Sequence, residues 1–170
     1  MKSTRFVALL AVFALAVVAG WFYFFGAQRN GVIPSGDRIT IYYTKTDGKT
    51  EEPFTVTLGP ARDPQSVAFY AATQAIAGPP QGVDAIRFPP GTHVRSVELD
   101  GKTASVDLSS EVKNGGGGSF DEGGMFKALV WTMTALPGID SVAIRVQGSQ
   151  VATLPGGHLE LDEPLARSSW

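Results

Sequence analysis

The 170-residue chain contains no cysteine. This excludes a disulfide framework, a lipid-anchored cysteine, a thiolate metal site and a cysteine nucleophile. Histidine is almost as scarce: His93 and His158 are far apart, and neither has the neighbours of an HxxxH or HExxH pattern. The sequence therefore predicts no metal site and no cofactor bound through such residues.

Basic residues are fewer than acidic residues. The chain has 14 Lys and Arg residues against 16 Asp and Glu residues, which gives a formal net charge of −2. Lys2 and Arg5 are the only charges before Arg29, and every acidic residue lies from Asp37 onward. Because phosphate backbones require a basic surface, which this distribution does not provide, no nucleic-acid partner is predicted.

Residues 6–25 carry no charge at all. Their length matches the roughly 20 apolar residues that a helix needs to cross a bilayer. Lys2 and Arg5 precede the segment, which by the positive-inside rule keeps the N-terminus in the cytoplasm. Residues 1–28 are therefore predicted to be a single-pass anchor in the cytoplasmic membrane, with residues 6–25 in the lipid bilayer and the later domain on the extracytoplasmic side. The residues chosen to represent this membrane anchor are Phe6, Leu10, Val17, Trp21 and Phe25.

A cleaved signal peptide is the alternative interpretation of the same segment. Cleavage after Ala19 satisfies the small-residue rule at such sites. It would leave an exposed aromatic start, Gly20 to Phe25, which is unusual for a secreted protein. The anchor is therefore the preferred hypothesis.

Periodicity divides the rest of the chain into a linker (residues 29–37), a folded domain (38–156) and a C-terminal tail (157–170). Alternating apolar residues predict strands at 39–44, 54–58, 97–99, 104–108, 142–146 and 151–154. Asp63-Pro64 and the capping-box spacing of Ser119 and Glu122 predict two helix starts. Asp100-Gly101 predicts a hairpin, and Gly148-Ser149 another turn. The predicted fold class is α+β, a mainly antiparallel sheet with two helices on one face, preceded by one N-terminal transmembrane helix.

Within this domain, several runs resemble the GerMN domain family. They are residues 88–94 (FPPGTHV), Gly101 with 104–109 (ASVDLS), 128–139 (ALVWTMTALPGI) leading to Val142 and Gly148, and the helix end at 76–79 (IAGP). The resemblance covers about residues 38–156. The positions given a structural role by the family motif are Pro90, Gly91, Thr92, Asp107, Leu108, Thr132, Pro137 and Gly148.

The resemblance implies a bacterial sporulation or germination protein of the outer side of the cytoplasmic membrane, with a fold similar to ring-building envelope motifs. It implies no enzymatic activity and no catalytic residue. We expect a non-enzymatic scaffold or interaction module that binds an envelope protein or self-associates. Members often carry a lipidated cysteine or two domain copies, whereas this chain has neither, so tethering falls to residues 6–25. A small-ligand or wall-glycan module and an envelope hydrolase are the alternatives.

Three further patterns could indicate a catalytic or binding role. Ser105, Asp107 and His93 contain the residue types of a triad, but no Gly-x-Ser-x-Gly elbow accompanies them. Asp107 is instead expected to close its strand through local side-chain to backbone bonds. The glycines 115–118 lack a following Gly-Lys-Ser/Thr and predict a flexible loop rather than a phosphate loop. The tail, with Leu159, Leu161, Leu165 and Trp170, is either simply packed or a contact surface.

Overall fold

The first two strands pair through the alternation that the sequence shows. The computed structural model describes residues 38–59, 63–115 and 118–170, so the predicted anchor and the linker lie outside the described residues. β1 (Arg38–Thr44) and β2 (Glu51–Thr57) run antiparallel, with Arg38 opposite Thr57 and Thr44 opposite Glu51. Ile39, Ile41 and Tyr43 of β1 are buried, as period-two alternation requires when one face covers a core.

The first helix begins and ends where its sequence signals lie. α1 (Pro64–Ala77) starts at the N-cap Asp63, whose carboxylate accepts the amide of Ser66 at 2.9 Å. It ends at Gly78, which has a φ of 83° that glycine adopts without strain. Both predicted boundaries are confirmed. The buried stripe of α1 consists of Val67, Ala68, Ala71, Ala72, Ala75 and Ile76.

A hairpin follows at the predicted place, with its turn shifted by one residue. β3 (Val94–Asp100) and β4 (Thr103–Leu108) are antiparallel, and Asp100 pairs with Thr103. Gly101 and Lys102 therefore form the turn, and Gly101 has a φ of 56°. Asp100 belongs to the strand instead of the turn, which corrects the expected Asp100-Gly101 centre.

The second helix carries the centre of the core. A short 3-10 helix (Ser110–Asn114) precedes α2 (Gly118–Met133). Phe126, Leu129, Val130 and Met133 are fully buried, which confirms the predicted apolar stripe. α2 begins at Gly118, before Ser119, and the Glu122 carboxylate, which was expected to reach back to the start of this helix, accepts the amide of His158 instead.

The chain then returns in parallel with β4. β5 (Ser141–Val146) pairs with β4 in parallel, with Val106 opposite Ile144. A parallel pair needs a crossover of a dozen residues or more, and α2 supplies it. The sheet was expected to be mainly antiparallel, and the pair of β4 and β5 is the parallel one within it. The element order alone does not show this direction.

The last strand is shorter than predicted. β6 (Ser149–Gln150) pairs with the end of β5 through a turn at Gln147 and Gly148, where φ is 56° and 79°. The expected pairing of residues 151–154 is absent from the described strands, because the chain leaves the sheet to bury Leu154. A 3-10 helix (Arg167–Ser169) lies near the C-terminus.

The architecture is α+β, with two sheets in place of the single sheet expected. One sheet contains β1 and β2, and the other has the order β3-β4-β5-β6. α1 contacts α2, β1 and β3, while α2 contacts β1 and β5, so both helices touch both sheets. Their apolar side chains form one buried cluster. Across the described parts of the chain, no helix has the length and apolarity needed to span a membrane.

Candidate functional site

The motif at residues 89–92 builds a turn. Thr92 donates both its amide and its hydroxyl to the carbonyl of Pro89, at 3.1 and 2.7 Å. Pro90 occupies the turn, and Gly91 has a φ of 86°, a conformation that favours glycine. A Cβ at Gly91 would lie 3.3 Å from Glu111 Cγ. The Ser109 hydroxyl, through a hydrogen bond, holds the pKa of Glu111 below its ordinary value.

Asp107 and Gly148 are brought together across the second sheet. The buried Asp107 carboxylate accepts the amide of Gly148 at 2.8 Å through Oδ1 and pairs with the Arg95 guanidinium at 2.9 Å through Oδ2. It therefore links the β5–β6 turn to β3. Asp107 was expected to bond locally along its own strand, and that expectation was wrong. Gly148 is placed for this contact by its positive φ.

Thr132, a third motif position, connects α2 to β1. Its hydroxyl accepts the amide of Tyr42 at 2.9 Å, and Thr132 is fully buried. Leu108 is also fully buried and belongs to the core. Pro137 lies exposed in the turn after α2, where the amide of Ile139 donates to the carbonyl of Leu136. The motif residues thus lie at separate turns and contacts and do not converge on one site.

The residues considered for a triad have other partners. The His93 ring bonds through Nδ1 to the Gly91 carbonyl at 3.0 Å, and its backbone amide donates to Ser109 Oγ. Asp107 is held by Arg95 and Gly148. Within residues 38–59, 63–115 and 118–170, no group of three His, Cys, Asp or Glu side chains has the arrangement of a metal site.

The C-terminal tail packs on the α2 side of the domain. Leu161 and Leu165 are buried, and Leu165 exchanges backbone hydrogen bonds with Val142 at 2.8 Å in both directions. Arg167 donates to the Trp131 carbonyl at 3.1 Å, and Trp170 contacts the Trp131 ring edge-on. The guanidinium of Arg167 lies 5.6 Å from the centre of the Trp131 ring, a cation–π distance. The tail is thus docked, with buried leucines.

A cavity lies beside the start of α2 in the described part of the chain. Its volume is about 490 Å³, and it lies between the loop after α1, the start of α2 and residues 154–157. Glu122 lines it and is 5% exposed. The Glu122 Oε2 atom accepts the amides of His158 at 2.9 Å and Leu159 at 3.4 Å. Sequence reasoning missed this residue, since its spacing from Ser119 favoured a local helix cap.

Comparison with known proteins defines the class. Residues 40–152 match the family described as "Germane: Sporulation and spore germination". The match covers more than half of the chain, and the protein belongs to this family. The resemblance to GerMN domains drawn from the sequence is therefore confirmed.

Solved structures agree with this assignment. The tandem GerMN domains of the sporulation protein GerM from Bacillus subtilis match with a TM-score of 0.63 and 26% identity over 78% of this chain and 46% of that chain. The first GerMN domain of the same protein matches with a TM-score of 0.62 and 26% identity over 77% of this chain and 98% of that chain. A candidate lipoprotein from Clostridium perfringens shares the fold, with a TM-score of 0.59 and 22% identity over 82% of this chain and 93% of that chain.

The chain thus spans about half of the tandem-domain structure and most of the single-domain one. No curated protein sequence matches it. The comparisons show a domain associated with sporulation and germination.

Proposed function

We propose that this protein is a membrane-tethered scaffold module of the bacterial envelope, with a GerMN-type domain that binds another envelope protein or a second copy outside the cytoplasm. The family match over residues 40–152 is the observation that carries the proposal, because it links the fold to sporulation and germination. The uncharged run at residues 6–25, preceded by Lys2 and Arg5, supplies the tether.

Sheet edges are the first candidates for the contact surface. The Tyr42 amide donates to Thr132 and therefore points away from β2. Tyr42 and its partner Pro53 are thus a non-hydrogen-bonded pair, in which the backbone N and C=O groups of each residue point away from the other strand. Pro53 therefore removes a donor from the outer edge of β2. β3 carries a register shift between Val94 and Ser96. Both features hinder the addition of a further strand.

Helix faces are the better candidates. Phe69 on α1 is 39% exposed and Phe120 on α2 is 54% exposed, although phenylalanine is usually buried. Aromatic side chains are enriched at protein interfaces. The proposed contacts therefore involve these two exposed rings more than the strand edges.

Site-specific crosslinking tests the surface. A photoreactive phenylalanine analogue is placed at Phe69 or at Phe120 in the full chain, and at Thr55 on β2 as the matched edge control. Irradiation of intact sporulating cells should give a discrete crosslinked species from the helix positions and none from Thr55. Crosslinking from Thr55 alone would instead favour strand addition, and no crosslink from any position would contradict the scaffold proposal.

The tether has its own test, which does not depend on the partner. Mass spectrometry of the protein from membranes should find the intact N-terminal segment, including Phe6 to Phe25. Added protease should digest the domain from the outer side of the membrane only. A mature chain that begins at Gly20 or Trp21 would show cleavage and contradict the anchor.

A further inference from the structure

The cavity of about 490 Å³ has the size of a small-molecule site. Pockets for small ligands span about 300–1,000 Å³, and most combine apolar walls with a few polar groups. The apolar part of this wall is formed by side chains that are buried in the core: Ile86, Phe88, Met125 and Leu154. Phe88 also packs edge-on against Phe126, so this wall is held in place by the core.

The polar part of the wall includes a buried carboxylate that is incompletely bonded. Glu122 Oε2 accepts two backbone amides, whereas Glu122 Oε1 is buried and has no hydrogen-bond partner. No Lys, Arg or His in the described part of the chain forms an ion pair with it. A buried anion without a cation is costly, and it attracts a positively charged donor.

Two other buried carboxylate oxygens provide a comparison. Glu51 Oε1 makes no hydrogen bond of good geometry either, but Lys127 Nζ lies 2.7 Å from it, so this charge is compensated inside the protein. Glu111 Oε2 is buried and unpartnered, yet Glu111 does not line the cavity. Glu122 alone among these three combines an uncompensated buried oxygen with a place in the cavity wall.

The loop at Gly157 packs closely against the Glu122 carboxylate. A Cβ atom at Gly157 would overlap Glu122 Oε1 and Oε2, so a residue with a side chain could not lie there without displacing the carboxylate. The absence of a side chain lets the backbone after Gly157 close over Oε2. The basic residues that line the cavity, Arg87 and Lys113, are exposed, and Arg87 donates to the Pro79 carbonyl.

We propose that this cavity binds a ligand with an ammonium group on an apolar stem, the ammonium pairing with Glu122 and the stem lying against Ile86, Phe88, Met125 and Leu154. This binding activity does not depend on the helix-face contacts of Phe69 and Phe120 proposed above. Either a free amine or the lysine side chain of a partner peptide offers this chemistry.

Calorimetry on the full chain in a nonionic detergent, supported by amide NMR shifts, tests the proposal. The probes are n-butylammonium, N-acetyl-lysine methylamide, n-butanol and n-butyrate. The two cations should bind saturably and shift the amides of Glu122, Met125, Gly156 and His158, whereas butanol and butyrate should not. Tighter binding of butylammonium indicates a free amine as the natural ligand, and tighter binding of the blocked lysine indicates a peptide side chain. Either result supports the ammonium site.

Glu122→Gln provides the charge test. The amide retains an oxygen that can accept the His158 amide, while its negative charge is lost. Because charge-assisted hydrogen bonds contribute about 1.5–3 kcal/mol, the affinity for butylammonium should fall about tenfold or more. Glu111→Gln is the matched control and should leave the affinity within about twofold, since Glu111 lies outside the cavity.

Unchanged affinity in a folded Glu122→Gln variant would overturn the proposal. Saturable binding of butyrate in place of butylammonium would overturn it as well, and would assign the site to Arg87 and Lys113. If Glu122→Gln does not fold, the comparison among the four probes on the unaltered chain still decides, because it needs no variant.

Discussion

The hydroxyl of Thr132 accepts the backbone amide of Tyr42 at 2.9 Å and thereby replaces a neighbouring strand at the edge of β1. The carbonyl of Thr44, two residues further along the same edge, accepts the amide of Ile86 at 2.9 Å. The Thr44 hydroxyl donates to the Gly124 carbonyl of α2 at 2.8 Å. A helix and a loop therefore satisfy polar groups that a third strand would otherwise have bonded, and this explains why the first sheet has two strands in the described part of the chain.

Replacement of Thr132 by valine tests this explanation. Valine keeps the shape of threonine but leaves the partly buried Tyr42 amide without the Thr132 acceptor, so the free energy of unfolding should fall by about 1–3 kcal/mol. Urea denaturation of the full chain provides the measurement. Thr73→Val is the control, because the Thr73 hydroxyl donates to the Phe69 carbonyl of its own helix and not to β1 in the described structure. An equal loss in both variants would show that the contact with β1 is not the cause.

The sequence predicted α1 well because its signals are local. Asp63, Pro64 and Gly78 act within one turn of the residues they affect, and the structure confirms both ends of the helix. The direction of β5 is a different kind of property. It depends on where α2 packs, and apolar alternation is the same in a parallel and an antiparallel strand.

The candidate site was less predictable for the same reason. Glu122 has the spacing of a local cap, and only the fold of residues 157–159 shows that its carboxylate receives distant amides. Asp107 similarly reaches Gly148, which is 41 positions away in the sequence. Side chains with several short-range alternatives cannot be assigned from local pattern, since tertiary packing selects among them.

Leu129→Ala tests the position of the core. Leu129 has no accessible surface, because it lies at the centre of the buried stripe of α2. Truncation should lower the free energy of unfolding by about 2–5 kcal/mol, as cavities in packed cores do. Leu99→Ala, at a partly buried position on β3, should cost clearly less. Equal urea midpoints for the Leu129 variant and the unaltered protein would contradict the assigned helix face.

The pKa of Asp47 provides a test of the first hairpin. Hydrogen bonds from the Thr50 amide, the Thr50 hydroxyl and the Lys49 amide lower the pKa of this carboxyl to about 2. A lowered pKa means that the charged form favours the folded state. Its stabilising effect is therefore present above the ordinary carboxyl pKa and is lost as the pH falls toward 2.

Carboxyl-carbon NMR of the folded chain should give a titration midpoint for Asp47 near 2, and Thr50→Val should raise that midpoint. Thr46→Val is the control variant, since the Thr46 hydroxyl donates to Asp84, and it should leave the midpoint of Asp47 in place. A midpoint at the ordinary aspartate value in the unaltered protein would show that the turn does not hold these bonds in solution.

Two substitutions at Asp107 separate its hydrogen bond from its charge. Asp107→Ala removes the acceptor of the Gly148 amide and the partner of Arg95, so the free energy of unfolding should fall by roughly 1–3 kcal/mol. Asp107→Asn can still accept the Gly148 amide and loses only the charge, and Arg95 is partly exposed, with 40% of its side chain accessible. The Asp107→Asn variant should therefore lose about 1 kcal/mol or less of its free energy of unfolding. Urea denaturation ranks the two variants, and the Gly148 amide shift reports the bond directly. If Asn proved as harmful as Ala while the amide shift of Gly148 stayed unchanged, the ion pair with Arg95 would be the main contribution, contrary to this assignment.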